Sequence, residues 1–244
     1  MPVTADPSFA HPTIAPSSGA HAITLPGDTT LWLLPQRAVW WPAARMAFVA
    51  DVHFGKAATF RRAGQPVPHG TTTDNLVRLD EVLALTGADH LVFLGDFLHA
   101  RSGAAPALWQ QLAPWRQGHA GVAMTLVRGN HDLHAGDPPA LLNIALVDEP
   151  WQPMLGAELL ACHHPQTVPG STVLAGHWHP TVTLRGLARD TLRAPCFAWH
   201  AGLLVLPSFG AFTGGSTQPL PPDTHRFPVV AGQVRALFSP AGLR

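Results

Sequence analysis

The chain has 244 residues, 46% hydrophobic and only 12% charged, about half the ~25% charged share of an ordinary soluble domain. Lys+Arg 15 balances Asp+Glu 15, which excludes a disordered polyelectrolyte and a broadly basic nucleic-acid coat. A polyanionic partner would have to be met by local positive charge or by bound metal. The length suits one domain with a full core, and 25 prolines with 22 glycines predict short elements and many loops.

Residues 1–20 are rich in Pro, Ser and Ala without pattern, and read as a disordered leader ahead of a single domain over 21–244. The N-terminus has neither the charged stretch nor the apolar core of a secretory signal. No apolar run approaches the ~18 residues of a membrane span, so the expectation is a soluble cytoplasmic protein. Strands are predicted at 29–34, 38–41 and 46–50, the last a continuous apolar run of the buried kind that stops at Asp51. Leu76, Leu79, Val82 and Leu83 recur at helical spacing over 72–86. A second buried strand, 90–94, ends at Gly95-Asp96. A helix is predicted over 105–117, ended or kinked by Pro114. A third strand, 122–127, ends at Arg128-Gly129-Asn130-His131-Asp132. Apolar runs at 159–162 and 172–175 lead into His163-His164 and Gly176-His177-Trp178-His179. The tail offers strands at 203–206 and 228–238 around a Gly/Thr-rich turn at 209–215. Repeats, coiled coils and linkers are missing, and Cys162 and Cys196 read as two reduced, buried thiols.

The chain holds 15 histidines, and their placement carries the functional argument. Singly, Asp51-Val52-His53 or Gly95-Asp96 is an ordinary turn. Residues i and i+2 of an extended segment point the same way, so Asp51 and His53 can grip one cation, as can His177 and His179. Ligands of open α/β sheets bind at the carboxyl ends of strands. Five strand ends would bring Asp51, His53, Asp96, Asn130, His163, His177 and His179 to one rim. Carboxylate, amide and imidazole donors together suit Mn²⁺, Fe²⁺ or Zn²⁺, and the lack of thiolates argues against a structural zinc.

These five blocks resemble the calcineurin-like metallophosphoesterases. The resemblance implies an α/β fold, a four-layer α-β-β-α sandwich of two mixed sheets flanked by helices, with a two-metal site. Asp51, His53, Asp96 and His179 would hold one ion. Asp96, Asn130, His163 and His177 would hold the other, with Asp96 bridging. His163 and His164 compete for one role, and the His-x-Pro spacing to Pro165 favours His163. Two such ions ~3.5–4 Å apart activate a water as hydroxide and clamp phosphate oxygens. His131 would then serve the leaving oxygen as a general acid or charge stabiliser, oriented by Asp132.

Residues 50–70, 94–99, 127–132, 175–180, 194–197 and 206–215 are similar to one subgroup, the ligase-associated DNA damage response endonucleases. The Pro195-Cys196-Phe197 and Phe209–Gly215 pieces carry that similarity, because they are not general to the superfamily. The likeness implies a Mn²⁺-dependent phosphodiesterase and DNA endonuclease of DNA repair. The same resemblance implies DNA ligase, helicase and exonuclease-like partners. Lys56, Arg61, Arg62 and Arg128, with Arg101, flank the metal blocks and are read as a track for a nucleic-acid backbone. Trp178, between two ligands, is a candidate for base stacking. Trp109, Trp115, Phe54 and Cys196 read as core, and His99, His134 and His200 as peripheral. Two other readings compete: a phosphatase or nucleotide pyrophosphatase of the same fold, and a non-catalytic scaffold, which the complete ligand set disfavours.

Overall fold

The computed structural model describes residues 18–67, 70–186, 190–216 and 219–237. The leader predicted over 1–20 lies outside them up to residue 17. From there the chain is already tied in, with the Gly19 carbonyl accepting the Val234 N–H at 2.8 Å.

The first sheet has seven strands in sequence order: β1 (His21–Thr24), β2 (Thr30–Leu34), β3 (Ala38–Trp41), β4 (Met46–Val49), β5 (His90–Leu94), β6 (Ala123–Val127) and β7 (Ala145–Val147). The first four pair antiparallel, and β4 to β7 pair in parallel. The second sheet holds β8 (Leu159–Ala161), β9 (Thr172–Ala175), β10 (Thr181–Arg185), β11 (Thr191–His200), β12 (Leu203–Val205), β13 (His225–Val230) and β14 (Gln233–Val234). Its order is β14-β13-β11-β12-β9-β8, with β10 on β11. It too is mixed, parallel at β12–β9 and β9–β8. Two mixed sheets with helices are the architecture the sequence led us to expect.

Strand periodicity explains how one apolar run serves two cores. Phe48, Val92 and Leu94 meet Leu174, Phe197, Leu204 and Leu206 of the second sheet. Their alternates Ala47, Val49, Leu91 and Phe93 face Leu79, Val82, Leu108 and Leu112 of α2 (Thr71–Thr86) and α3 (Pro106–Gly118). The outer face of the second sheet carries a smaller cluster that includes Cys162, Val173 and Val205, against which Val168, Trp178 and Leu220 pack.

Four features depart from the sequence reading. Helix α3 does not end at Pro114 but runs to Gly118. Pro114 and Gln110, whose carbonyl loses its partner, are both exposed, so water can replace the missing bond, while Leu108, Leu112 and Arg116 anchor the helix inside. Two short helices, α1 (Lys56–Arg62) and α4 (Asn130–Ala135), follow the first and third metal blocks. A β10–β11 hairpin runs through Pro195, where β11 leaves its pairing with β10 and takes up β13 at Cys196. The tail predicted as one strand over 228–238 is the hairpin β13–β14. Among the described residues no helix is long and apolar enough to cross a membrane.

Candidate metal centre

The carboxyl ends of β4, β5, β6, β8 and β9 converge, and each delivers its polar residues to one place. Asp51, His53, Asp96 and His163 are buried. Asp51, His53, Asp96, His177 and His179 take positive φ, between 46° and 67°. Side chains avoid that region, and holding a residue there costs of the order of 1–3 kcal/mol. Such strain is maintained by the surrounding packing, here to turn each side chain inward as its strand ends. Two glycines make the space. An added Cβ at Gly95 would lie 2.1 Å from His163 Nδ1, and one at Gly129 2.5 Å from Asp96 Oδ1.

Around Asp51, Oδ1 lies 3.3 Å from His179 Nε2, and Oδ2 accepts the His177 N–H at 2.9 Å. His53 Nε2 stands 3.6 Å from Asp96 Oδ2. Around Asn130, His163 Nε2 is 2.9 Å from the amide Oδ1, 3.1 Å from His177 Nδ1 and 3.4 Å from Asp96 Oδ1. Asp96 thus faces both groups, and its Oδ1 also accepts the His131 N–H at 3.0 Å. All seven residues named from the sequence as ligands come together. Of the two adjacent histidines, His163 is fully buried in this cluster while His164 is 46% exposed at its side chain and engaged by Glu149.

The cluster fits divalent metal ions on its own evidence. Donor atoms of Asp51, His53 and His179 lie within 4.8 Å of one another, as do those of Asp51, Asp96 and His163. Among the described residues both ring nitrogens of His53 are buried without a hydrogen-bond partner, a costly condition that a ligated cation removes. Burial, then the neighbouring Asp51 charge, pushes Asp96 up to about 6, the sign of carboxylates short of countercharge. Burial is also the largest cause holding His53, His163 and His177 below the usual imidazole range, which keeps them in the neutral form that binds metal.

His131 is placed differently from the sequence expectation. Its Nδ1 meets the His99 carbonyl at 2.7 Å, and since a carbonyl only accepts, Nδ1 carries the proton. Nε2 is left toward the centre, 3.9 Å from Asp96 Oδ2. Asp132 does not orient it. Its oxygens accept the N–H groups of Leu98 at 3.1 Å and Gly129 at 2.9 Å. The reason is local: α4 starts at Asn130, which puts Asp132 at its third position, where a carboxylate turns back to cap the helix start. Asp132 therefore ties the β5 exit to the β6 exit. Burial raises it to about 6.

The orienting group is His99, which the sequence suggested was peripheral. Its ring stacks on His131, centroids 5.1 Å apart at 23°, and burial, then Lys56 and His131, lowers it to about 4. Its place three residues beyond Asp96 was the available signal. Glu149 left none, yet its Oε2 accepts the N–H groups of His163 and His164 at 2.6 and 2.8 Å. The Phe209–Gly215 motif proves to be a brace. Ser208 Oγ and the Gly210 N–H both donate to the Asp51 carbonyl, and buried Asn75 joins the Val52 carbonyl to the Ala211 N–H.

Of the expected backbone track, Lys56 lies close enough for Asp51 and Asp96 to act on its charge, though burial lowers its pKa. Arg62 donates to the Ser102 carbonyl, and Arg61 sits in the last turn of α1. Arg128 departs from the expectation, being held by Asp137 at 2.9 Å and Asp148 at 3.1 Å, so its charge is answered within the protein. Trp178 packs against the Cys162 cluster, Phe54 is core, and Cys162 and Cys196 are free and buried. His134 bonds its own helix and His200 pairs with Asp223.

The fold and this centre define a phosphoester-hydrolysing class. The calcineurin-like phosphoesterase family matches residues 44–195, and the chain belongs to it. The crystal structure of the Pseudomonas putida nuclease MPE is 42% identical, covering 89% of this chain and 100% of that one, with a TM-score of 0.76. YfcE, a phosphoesterase from E. coli, is 19% identical with a TM-score of 0.42, covering 80% and 98%. AQ665 of Aquifex aeolicus, a protein of unknown function, is 19% identical with a TM-score of 0.37, covering 55% and 77%. No curated protein matches the chain significantly.

Proposed function

We propose that the chain is a two-metal phosphodiesterase that cuts DNA internally, in the service of DNA repair. The observation that carries this reading is the convergence of seven residues with N and O donors, among which the Asp96 carboxylate faces both groups. The 42% identity to a nuclease across that protein's full length supports a nucleic-acid diester as substrate. In this reading Asp51, His53, Asp96 and His179 hold one divalent ion, and Asp96, Asn130, His163 and His177 the other. Mn²⁺ is the proposed ion, and Fe²⁺ or Zn²⁺ satisfies the same donors. Bound there, the pair supplies Lewis acidity that activates a water and neutralises phosphoryl charge. His131 works on the leaving oxygen. Because Nδ1 keeps its proton on the His99 carbonyl, Nε2 can donate only from the imidazolium, which also places a positive charge where the alkoxide develops. Lys56, Arg61 and Arg62 lead the strand toward the centre. The company of a DNA ligase, a helicase and an exonuclease-like protein is part of the proposal, to be tested by co-purification.

The deciding experiment incubates metal-stripped protein with closed circular single-stranded DNA, with and without Mn²⁺, beside Asp96→Asn. Mn²⁺-dependent linearisation absent from the variant is expected. An intact circle alongside brisk hydrolysis of a small phosphate ester would keep the metal centre and discard DNA.

A further inference from the structure

A cavity of about 200 Å³ opens on the far side of His179, well beyond the ~10–15 Å³ that admits one water. Arg37, from the β2–β3 turn, and Arg193, from β11, line it together with Thr181, Ser208 and Gly214. Neither arginine stood out in the sequence. Each is anchored by neutral oxygens rather than by a carboxylate. Arg37 Nη1 donates to the Ser208 carbonyl at 3.2 Å. Arg193 donates from Nε to Thr181 Oγ1 at 3.1 Å and from Nη2 to the Gly215 carbonyl at 2.6 Å. Among the described residues neither forms an ion pair, in contrast to Arg45 and Arg128. Burial, then the Arg78 charge, pushes Arg37 down to about 10, the direction a cation takes when no anion answers it. Two oriented, unneutralised guanidiniums in one recess make an anion site, and their planar forks suit phosphate.

The His179 ring is the wall between this cavity and the metal centre. Its Nε2 faces Asp51 at 3.3 Å, while Nδ1 meets the Gly214 carbonyl of the cavity at 3.1 Å. We propose that the Arg37–Arg193 cavity seats a second substrate phosphate, one nucleotide along the DNA strand from the phosphate being cleaved. The wall decides the chemical class. Two phosphates sharing one bridging oxygen, as in a pyrophosphate, cannot straddle an imidazole, whereas a whole sugar separates neighbouring phosphates of a nucleic acid. The inference rests on the nuclease reading and adds to it a subsite that a single small diester cannot fill.

The test compares kcat/KM of wild type, Arg193→Gln and Arg193→Lys in Mn²⁺ on three probes: a single-stranded oligonucleotide, bis(p-nitrophenyl) phosphate and ADP-ribose. Arg37→Gln, checked for its melting temperature, is the second site. For Arg193→Gln the oligonucleotide-to-aryl-diester ratio is expected to fall roughly tenfold. The slope of log affinity against log salt should drop by ~0.7–1, one phosphate contact on a single strand. Arg193→Lys should keep the slope and recover part of the ratio, since it retains charge without the fork. A wild type that cuts the oligonucleotide with the ratio unchanged in both Gln variants overturns the subsite and leaves the nuclease reading standing. An equal loss on ADP-ribose overturns the sugar-spaced assignment. A wild type that spares the oligonucleotide yet hydrolyses the aryl diester overturns both.

Discussion

Around Asp51 two imidazoles, His53 and His179, stand beside a carboxylate, and both ring nitrogens of His53 are buried without a hydrogen-bond partner among the described residues, whereas around Asn130 two imidazoles, His163 and His177, stand beside a neutral amide. The imidazoles match and the oxygen donors differ. A carboxylate brings a full negative charge to a buried site, an amide only a dipole. His163 Nδ1 meets the Leu94 carbonyl at 3.1 Å, so Nδ1 carries the proton and Nε2 keeps its lone pair. The lesson is that two groups with the same imidazoles can differ in their pull on a cation through one change of oxygen donor, with Asp96 facing both.

The sharpest way to break this comparison is at Asp96, which faces both groups. Asp96→Asn should lower phosphodiester turnover by at least about 10³-fold, with metal content falling in both halves by elemental analysis. Retention of one full equivalent would show that Asp96 serves a single half. Next in size, His131→Asn should cost about 10²–10⁴-fold in kcat and leave both ions bound. A parallel loss of metal would move His131 from proton transfer to ligation. The halves themselves are separated by titrating the metal-free protein with Mn²⁺ and following free ion by its magnetic resonance signal. The tighter step is expected to vanish in His53→Ala and the weaker one in His177→Ala, and the reverse order would refute the argument from the Asp51 charge.

Smaller effects test the scaffolding. Asp132→Ala should lower stability by about 1–2 kcal/mol in urea, as the loss of a helix cap does, while the His131–His99 contact persists. If kcat in the folded variant falls as far as in His131→Asn, Asp132 acts on the chemistry after all. The mildest prediction concerns the thiols away from the centre. Burial raises Cys162 to about 11 and Cys196 to about 12, so both should react slowly with a disulfide reagent at pH 8 and promptly in denaturant. Because the folded state holds these protons longer than the unfolded chain, the thiols' contribution is complete below the ordinary thiol range near ~8.5. It declines as pH climbs through about 11 and 12. Fast labelling of native protein at pH 8 would contradict their burial.

Much of the fold was legible locally. The runs at 46–50, 90–94, 122–127 and 172–175 are strands whose alternate residues face two cores, so each is apolar but for His90, Thr125 and Thr172. What escaped were elements whose residues lack that pattern. The β10–β11 hairpin carries a proline that speaks against a strand until β11 changes partners there. Helix α3 continues through Pro114 because the affected face meets water, which spacing alone cannot tell.

The sequence by itself determined which donors exist and that they end strands, since a carboxylate or imidazole directly after an apolar run must emerge at the sheet's rim. It thereby determined the donors that the proposed metal centre draws on and the chemistry such donors can support. The tertiary structure decided relations between distant segments. It buried His163 within the cluster and gave His164 to Glu149, and it set His131 on the His99 carbonyl rather than on Asp132. It answered the charge of Arg128 with Asp137 and Asp148 while leaving Arg37 and Arg193 unpaired beside His179. Spacing along a chain fixes the direction of neighbouring side chains. Which charge meets which depends on where distant segments come to lie, such as the β2–β3 turn with Arg37 and β11 with Arg193 on one cavity, and that is set only once the two sheets have packed.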